Sequence, residues 1–401
     1  MKLCQICKKK LRKIINFGNH PVSHKFNNGK FKTEKFPLIL GQCKSCGLVQ
    51  LIKFTPIKKL IPRYDWISYN EPEEHLDRLA KTITKLPGIN KFSKVCGLSY
   101  KEDTLLERLK KKGFKNTWRM DPKKDLQIMS KKANLETIQS KINNKIIGRL
   151  QKKNGSQDVI IVRHILEHTH DTLEFISALK KIVKNDGYII FEVPDCTQGF
   201  KINDYNTLWE EHLIYFTKFT LNNSLKLSGL KIHYFERYKY PFESVLISVV
   251  SPNNKISKNN KVTKLNDIKI ENQRVNFSEE KLFKKKAYIS KFFQKMKNKR
   301  KKIALFGTGH SACLFVNLFG LDKFINFAID DDKNKLGYYI PGSNIKIKSS
   351  DHLKNDKIDL CILGMNFESE KKILRKFSSF SKNGGKFVSI YPSSKYAINI
   401  K

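Results

Sequence analysis

At 401 residues the chain exceeds what one hydrophobic core usually serves, so two or three domains are expected, and a hydrophobic content of 40% supports globular packing. Lys+Arg 78 against Asp+Glu 37 gives a formal charge of +41. The lysines are spread along the whole chain beside abundant Asn and Ile, as an AT-rich coding bias produces, which argues for a solvated basic surface over a dedicated nucleic-acid patch and still suits a nucleotide diphosphate.

The N-terminus, MKLCQICKKKLRK, is charged where a signal peptide needs an apolar segment, and no later stretch approaches the ~18 apolar residues of a membrane helix. No membrane insertion and a cytoplasmic location are expected. Cys4-x-x-Cys7 and Cys43-x-x-Cys46 are two thiol pairs with 35 residues between them. Each pair is spaced for a tight turn to aim both sulfurs at one metal, and four thiolates suit a closed tetrahedral zinc site. With no open coordination position such a zinc is structural. His20 and His24 are possible ligands, but four cysteines already fill the shell. Cys96, Cys196, Cys313 and Cys361 read as reduced buried thiols.

Residues 60–85 carry an aromatic and acidic run whose second half has helical spacing. From residue 94, short apolar strands alternate with amphipathic helices: KVCGLSY, TLLERLKKKGF, NTWRMD, DVIIVRHIL, TLEFISALKKIVK and GYIIFEVPD. That alternation predicts a parallel sheet with helices on its faces. Residues 252–268 are polar, Asn- and Lys-rich, and read as a loop or linker. A helix over 278–300 follows, with Leu282, Tyr288, Ile289, Phe292 and Phe293 along one side. A second α/β alternation begins at KIALFGTG. The expected organisation is a zinc module over 1–60, an α/β domain over 61–251, a linker and connecting helix over 252–300, and a second Rossmann-like α/β domain over 301–401.

Taken together, CxxC, the segment FGNHPVS, CxxCGLVQL, RHILEHTHD followed by GYIIFEVPD, and WEEHLIYFT resemble the sugar C-methyltransferases. The last third, from FGTGHSACLFVNLFGL to GGKFVSIYP, is similar to that family's C-terminal domain. The resemblance spans nearly the full chain and implies a class I methyltransferase domain between the zinc module and the C-terminal domain. It further implies transfer of a methyl group from S-adenosylmethionine to a carbon of a nucleotide-linked keto sugar.

Methyl transfer to carbon needs a base beside a carbonyl, a group to hold the enolate, and a donor in line. His212, directly after Glu210 and Glu211, is the expected base, with Glu211 supporting it or holding a substrate hydroxyl. His168, just after an apolar strand, is the expected second group facing the enolate, with Glu167 and His164 as neighbours. Trp209 stands where the family pattern has Tyr. Tyr64 or Tyr69 could supply a hydroxyl to the substrate. The cofactor turn, CGLSYKEDTLL, departs from the usual Gly-rich pattern and offers Gly97 and Ser99, with Asp103 for the donor's amino group and Asp121 for its ribose. Gly307-x-Gly309 after KIALF opens a helix toward substrate, Asp330 ends the next strand, and Lys335–Gly342 reads as a loop over substrate or a simple turn. Two alternatives stay open: methylation at sugar oxygen or nitrogen, and a non-catalytic zinc-containing protein that binds a nucleotide sugar or nucleic acid.

Overall fold

The structure, a computed structural model, describes residues 2–29, 33–67, 71–129, 133–252 and 265–398. Tyr69 and residues 253–264 of the expected linker lie outside the described residues.

The N-terminal module is an antiparallel sheet of β1 (Leu11–Pro21), β2 (Lys35–Cys43) and β3 (Val49–Leu51). Its register sets Leu11 opposite Cys43, so the turn carrying Cys4 and Cys7 meets the turn carrying Cys46. The central sheet contains β4 (Lys94–Gly97), β5 (Asn116–Arg119), β6 (Gln157–Arg163) and β7 (Val183–Pro194). The short β8 (Ile214–Tyr215) leaves this sheet and pairs with β3, so residues far along the chain complete the N-terminal module. Then β9 (Leu230–Lys239) and β10 (Ser244–Pro252) return, giving the order β5-β4-β6-β7-β10-β9. β5, β4, β6 and β7 are parallel, while β10 runs antiparallel to both its neighbours.

The runs Val159–Val162 and Ile189–Phe191 are apolar without alternation because helices cover both faces of these central strands. One covering helix, Asp103–Lys111, turns Leu105, Leu106 and Leu109 inward; another, Thr172–Ile182, is capped by Asp171, whose carboxylate accepts the Glu174 amide. From β4 the chain steps to β5 on one side and then returns to β6 on the other. Loops at the carboxyl ends of β4 and β6 therefore diverge and leave the crevice where open α/β sheets bind ligands.

The C-terminal sheet is wholly parallel, in the order β13 (Ile347–Lys348), β12 (Phe327–Ile329), β11 (Ile303–Phe306), β14 (Leu360–Leu363), β15 (Lys386–Ser389). Its own reversal lies between β11 and β14. There Gly307 has φ +91°, and a β-carbon on it would sit 2.8 Å from the Gly364 carbonyl oxygen. The helix that follows, His310–Phe319, is apolar nearly all round and buried accordingly.

The helix read over 278–300 is present as Glu279–Asn298, capped by Ser278, with Leu282, Ile289 and Phe293 buried. One reading needs correction: the polar end of the expected loop, from Leu265, already belongs to a helix, Leu265–Arg274. The anchor is Glu271, buried against the zinc module and accepting hydrogen bonds from Thr217 at 2.7 Å and Arg274 at 2.8 Å. Composition suggests a loop there because the tertiary partners of Glu271 lie far away in sequence. Among the described residues no helix is long and apolar enough to cross a membrane.

Candidate active site

The four cysteines converge. Cys7 and Cys43 sulfurs stand 3.3 Å apart, and Cys46 lies 3.6 Å from both Cys4 and Cys7. Sulfurs ~2.3 Å from a tetrahedral zinc are separated by ~3.8 Å, so small side-chain rotations fit the ion.

The crevice of the central sheet holds a buried charge network. Arg163, ending β6, gives Glu192 on β7 a two-point contact, Nε at 2.7 Å and Nη2 at 3.1 Å, and donates also to the Lys101 carbonyl. His164 and His75 approach the same carboxylate at 3.0 and 3.2 Å. Burial alone would raise the Glu192 pKa, but Arg163, His164 and His75 together hold it well below the usual carboxylate range. His164 takes a left-handed backbone conformation, φ +52°, an uncommon one for a non-glycine residue. Burial opposes its charge, yet Glu71, Glu167 and Glu192 raise its pKa to about 10. Glu71 in turn is lowered to about 2, because Lys101, 3.0 Å away, and His164 overcome its burial.

Beside this network stand the residues the sequence singles out. The His168 and His212 rings meet edge to face at 4.7 Å, and Trp209 lies 4.7 Å from His212 and 5.7 Å from His168. His168 is held through Nδ1 by Glu136 at 2.7 Å, and despite burial that contact raises its pKa. Among the described residues no carboxylate hydrogen-bonds His212, although Glu167 lies within 4.8 Å of it. Burial first, then His168, His310, His164 and Lys101, drive its pKa well below the ordinary imidazole value, so it is a neutral ring in a positive field. Glu211 turns toward the zinc module: its Oε1 lies 2.5 Å from His24 Nδ1, outside hydrogen-bond angles, and both groups are buried. Glu210 accepts the Ser23 amide at 2.5 Å, and the Trp209 indole donates to the Ser23 hydroxyl at 3.0 Å. Burial and the neighbouring Glu211 push the Glu210 pKa up to about 7. The segment Ser23–His24 thus backs the segment Trp209–Glu211 along its length.

The turn after β4 is occupied by its own chain. Glu102 accepts the Ser99 amide at 2.6 Å, the Ser99 hydroxyl at 2.9 Å and the Arg163 amide at 2.7 Å, and a β-carbon on Gly97 would lie 2.7 Å from that of Glu102. Asp103 pairs with Arg119 at 3.2 Å. Asp121 is exposed at the end of β5 and accepts the Lys124 amide at 2.6 Å. Gly97 and Ser99 therefore shape the turn, while Asp103, paired with Arg119, and Asp121 place carboxylates at the sheet's carboxyl edge, acceptors of the kind that the amino and ribose hydroxyl groups of a nucleoside cofactor need.

The C-terminal domain also reaches the site. Gly309 precedes His310, whose ring stacks on Trp209 at 4.4 Å and 17°; burial lowers its pKa to about 4. Asp330 accepts hydrogen bonds from Thr308 and, at 3.0 Å, from Lys335. Tyr64 stacks on Trp66 at 5.0 Å and meets Tyr338 at 5.2 Å, a cluster distinct from the histidines. Sequence reasoning missed Glu71, Lys101, Arg163, Glu192, Glu136 and His310 and weighed His24 only as a zinc ligand. Arg163 and Glu192 alone carried a signal, charge set within apolar runs, as in VIIVRH and YIIFEV.

Comparisons with known proteins follow the same division of the chain. Residues 4–60 match a family model for a zinc binding domain, 50–234 one for a methyltransferase domain, and 254–392 one for a C-methyltransferase C-terminal domain. With its doubly wound central sheet, the chain is a methyltransferase. It carries, in this order, a zinc binding domain, a methyltransferase domain and a C-methyltransferase C-terminal domain. The C-methyltransferase NovU of Streptomyces niveus is 20% identical over 397 residues, covering 95% of this chain and 93% of that relative. Among solved structures, a 1,6-didemethyltoxoflavin-N1-methyltransferase of Burkholderia thailandensis is 10% identical over 45% of this chain and 79% of its own, with a TM-score of 0.31. An S-adenosylmethionine-dependent methyltransferase of Clostridium acetobutylicum is 12% identical over 46% of this chain and 93% of its own, also with a TM-score of 0.31.

Proposed function

We propose that the chain transfers a methyl group from S-adenosylmethionine to a carbon beside the carbonyl of a nucleotide-linked keto sugar. Bound in the crevice beside Gly97, Ser99, Asp103 and Asp121, the donor supplies an electrophilic methyl group on a sulfonium. Neutral His212 takes the proton from the sugar carbon. The released electron pair moves onto the carbonyl oxygen, where charged His168, His164 and Lys101 stabilise it. Trp209 and His310 wall the site and exclude water. S-adenosylmethionine bound there would supply the methyl group to the enolate carbon and leave as S-adenosylhomocysteine, with the electrons of the broken C–S bond on sulfur.

The observation that carries this reading is His212 itself, an uncharged imidazole surrounded by cations. Its lone pair is unprotonated and lies 4.7 Å, ring to ring, from His168; burial and the surrounding cations make it a weak base, and the same cations offset this by stabilising the enolate that proton removal creates. The test is mass spectrometry of nucleotide keto sugars incubated with the zinc-loaded protein and deuteromethyl donor. His212→Ala is expected to lower the rate by about 10²- to 10⁴-fold while leaving the calorimetric affinity for S-adenosylhomocysteine unchanged. Methyl transfer at the wild-type rate in His212→Ala, or a label on oxygen, refutes the assignment.

A further inference from the structure

His24 and Glu211 are 1% and 4% exposed, and their polar atoms nearly touch without a formed hydrogen bond. His24 Nδ1 lies 2.5 Å from Glu211 Oε1, neither atom has another hydrogen-bond partner, and His24 Nε2 has none. Interior polar groups left in that state cost stability, and a small rotation of the ring turns this contact into a charge-assisted hydrogen bond. The backbone that carries His24 is fixed from both sides. The Lys25 amide donates to the Val22 carbonyl at 3.0 Å, closing a turn, and Ser23 is held by Glu210 through its amide and by Trp209 through its hydroxyl.

On its other side Glu211 faces His168. An oxygen of Glu211 lies within 4.8 Å of a ring nitrogen of His168 and of an oxygen of Glu136. Burial works against charge on His168, and Glu136 first, then Glu167 and Glu211, raise its pKa in spite of it. These carboxylates come from the helix Leu135–Lys141, the turn after β6 and the segment before β8, and the neutral His212 ring is the other titratable group against His168. Glu136 is tied to His168 by a hydrogen bond at 2.7 Å, whereas Glu211 acts across a gap. A charge that acts across a gap counts according to where it is held, because its effect falls with distance.

We infer that His24 of the zinc module is a positioning residue for the chemical step: it fixes the Glu211 carboxylate beside His168 and so acts on the enolate through two side chains. The inference rests on the methyl-transfer reading above, in which His168 faces the enolate oxygen. It gives the zinc module a part in the chemistry as well as in the fold. Support for charge on His168 counts most when the enolate has formed, so loss of His24 lowers kcat and leaves KM in place.

Titration of the free, zinc-loaded full chain labelled with ¹⁵N-histidine, followed by NMR, tests this with neither acceptor nor donor present. His24→Ala is expected to lower the pH at which His168 loses its proton. His24→Asn, which keeps a side-chain donor close to the position of Nδ1, is expected to restore it, with folding of each variant checked by thermal melt. In a Glu211→Gln background there is no carboxylate charge to position, and His24→Ala is expected to leave the His168 titration where it was. In the methyl-transfer assay His24→Ala should lower kcat roughly tenfold, short of the ~10²- to 10³-fold lost with an oxyanion donor itself. KM should stay within about twofold of wild type. An unmoved His168 titration in His24→Ala, or an equal movement in the Glu211→Gln background, overturns the inference. Because the titration needs no turnover, absence of methyl transfer to carbon would refute the earlier reading and leave this one to be decided by the NMR alone.

Discussion

Replacing Arg163 with Met tests the charge network directly. The guanidinium is 1% exposed and its partner Glu192 is fully buried, so neither charge can turn to water when the other is lost. Removing one member of a buried pair costs about 3–5 kcal/mol. At about 2–4 °C per kcal/mol for a domain of this size, the melting transition of the zinc-loaded protein should fall by roughly 6–20 °C. His164 and His75 still face Glu192, which places the loss toward the lower end. The double variant Arg163→Met/Glu192→Leu removes the stranded charge together with its desolvation cost, and it should melt closer to wild type than Arg163→Met does. Scanning calorimetry of the two single variants and the double closes the cycle. A double variant whose loss equals the sum of the single losses would refute the reasoning, because it would mean that Arg163 and Glu192 act independently.

Three further outcomes are expected. Stripping zinc with a strong chelator should unfold the N-terminal sheet, shift Trp209 fluorescence through loss of the Ser23 contact, and abolish methyl transfer; activity that survives metal loss would separate the module from the site. The His164 pKa, raised to about 10 in the folded protein, implies stability fully present below its unfolded value of about 6.5 and lost as pH rises through about 10, so His164→Gln should flatten urea stability across that window. Gly307→Ala places a β-carbon 2.8 Å from the Gly364 carbonyl at φ +91° and should cost about 1–3 kcal/mol, whereas Gly309→Ala, with nothing within 4 Å, should cost less than about 1 kcal/mol by the same melt.

What the sequence determined by itself is local or periodic. The zinc site is legible because two residues between cysteines suffice to aim both sulfurs at one point, whatever the rest of the chain does. The central sheet is legible because strands buried on both faces must be continuously apolar, and their covering helices must carry an apolar stripe. Glu211 and His212 stand out by adjacency, but adjacency did not predict their partners. Only the tertiary structure brings His24, 187 residues upstream, against Glu211, and lays His310 of the last domain on Trp209. Arg163 and Glu192 read in sequence as charges interrupting apolar strands, and parallel pairing in register sets them side by side. The protonation states that the chemistry requires were decided at the same level. A histidine's pKa follows from how deeply it is buried and which charges surround it, so His164 and His212, in one network, are driven in opposite directions.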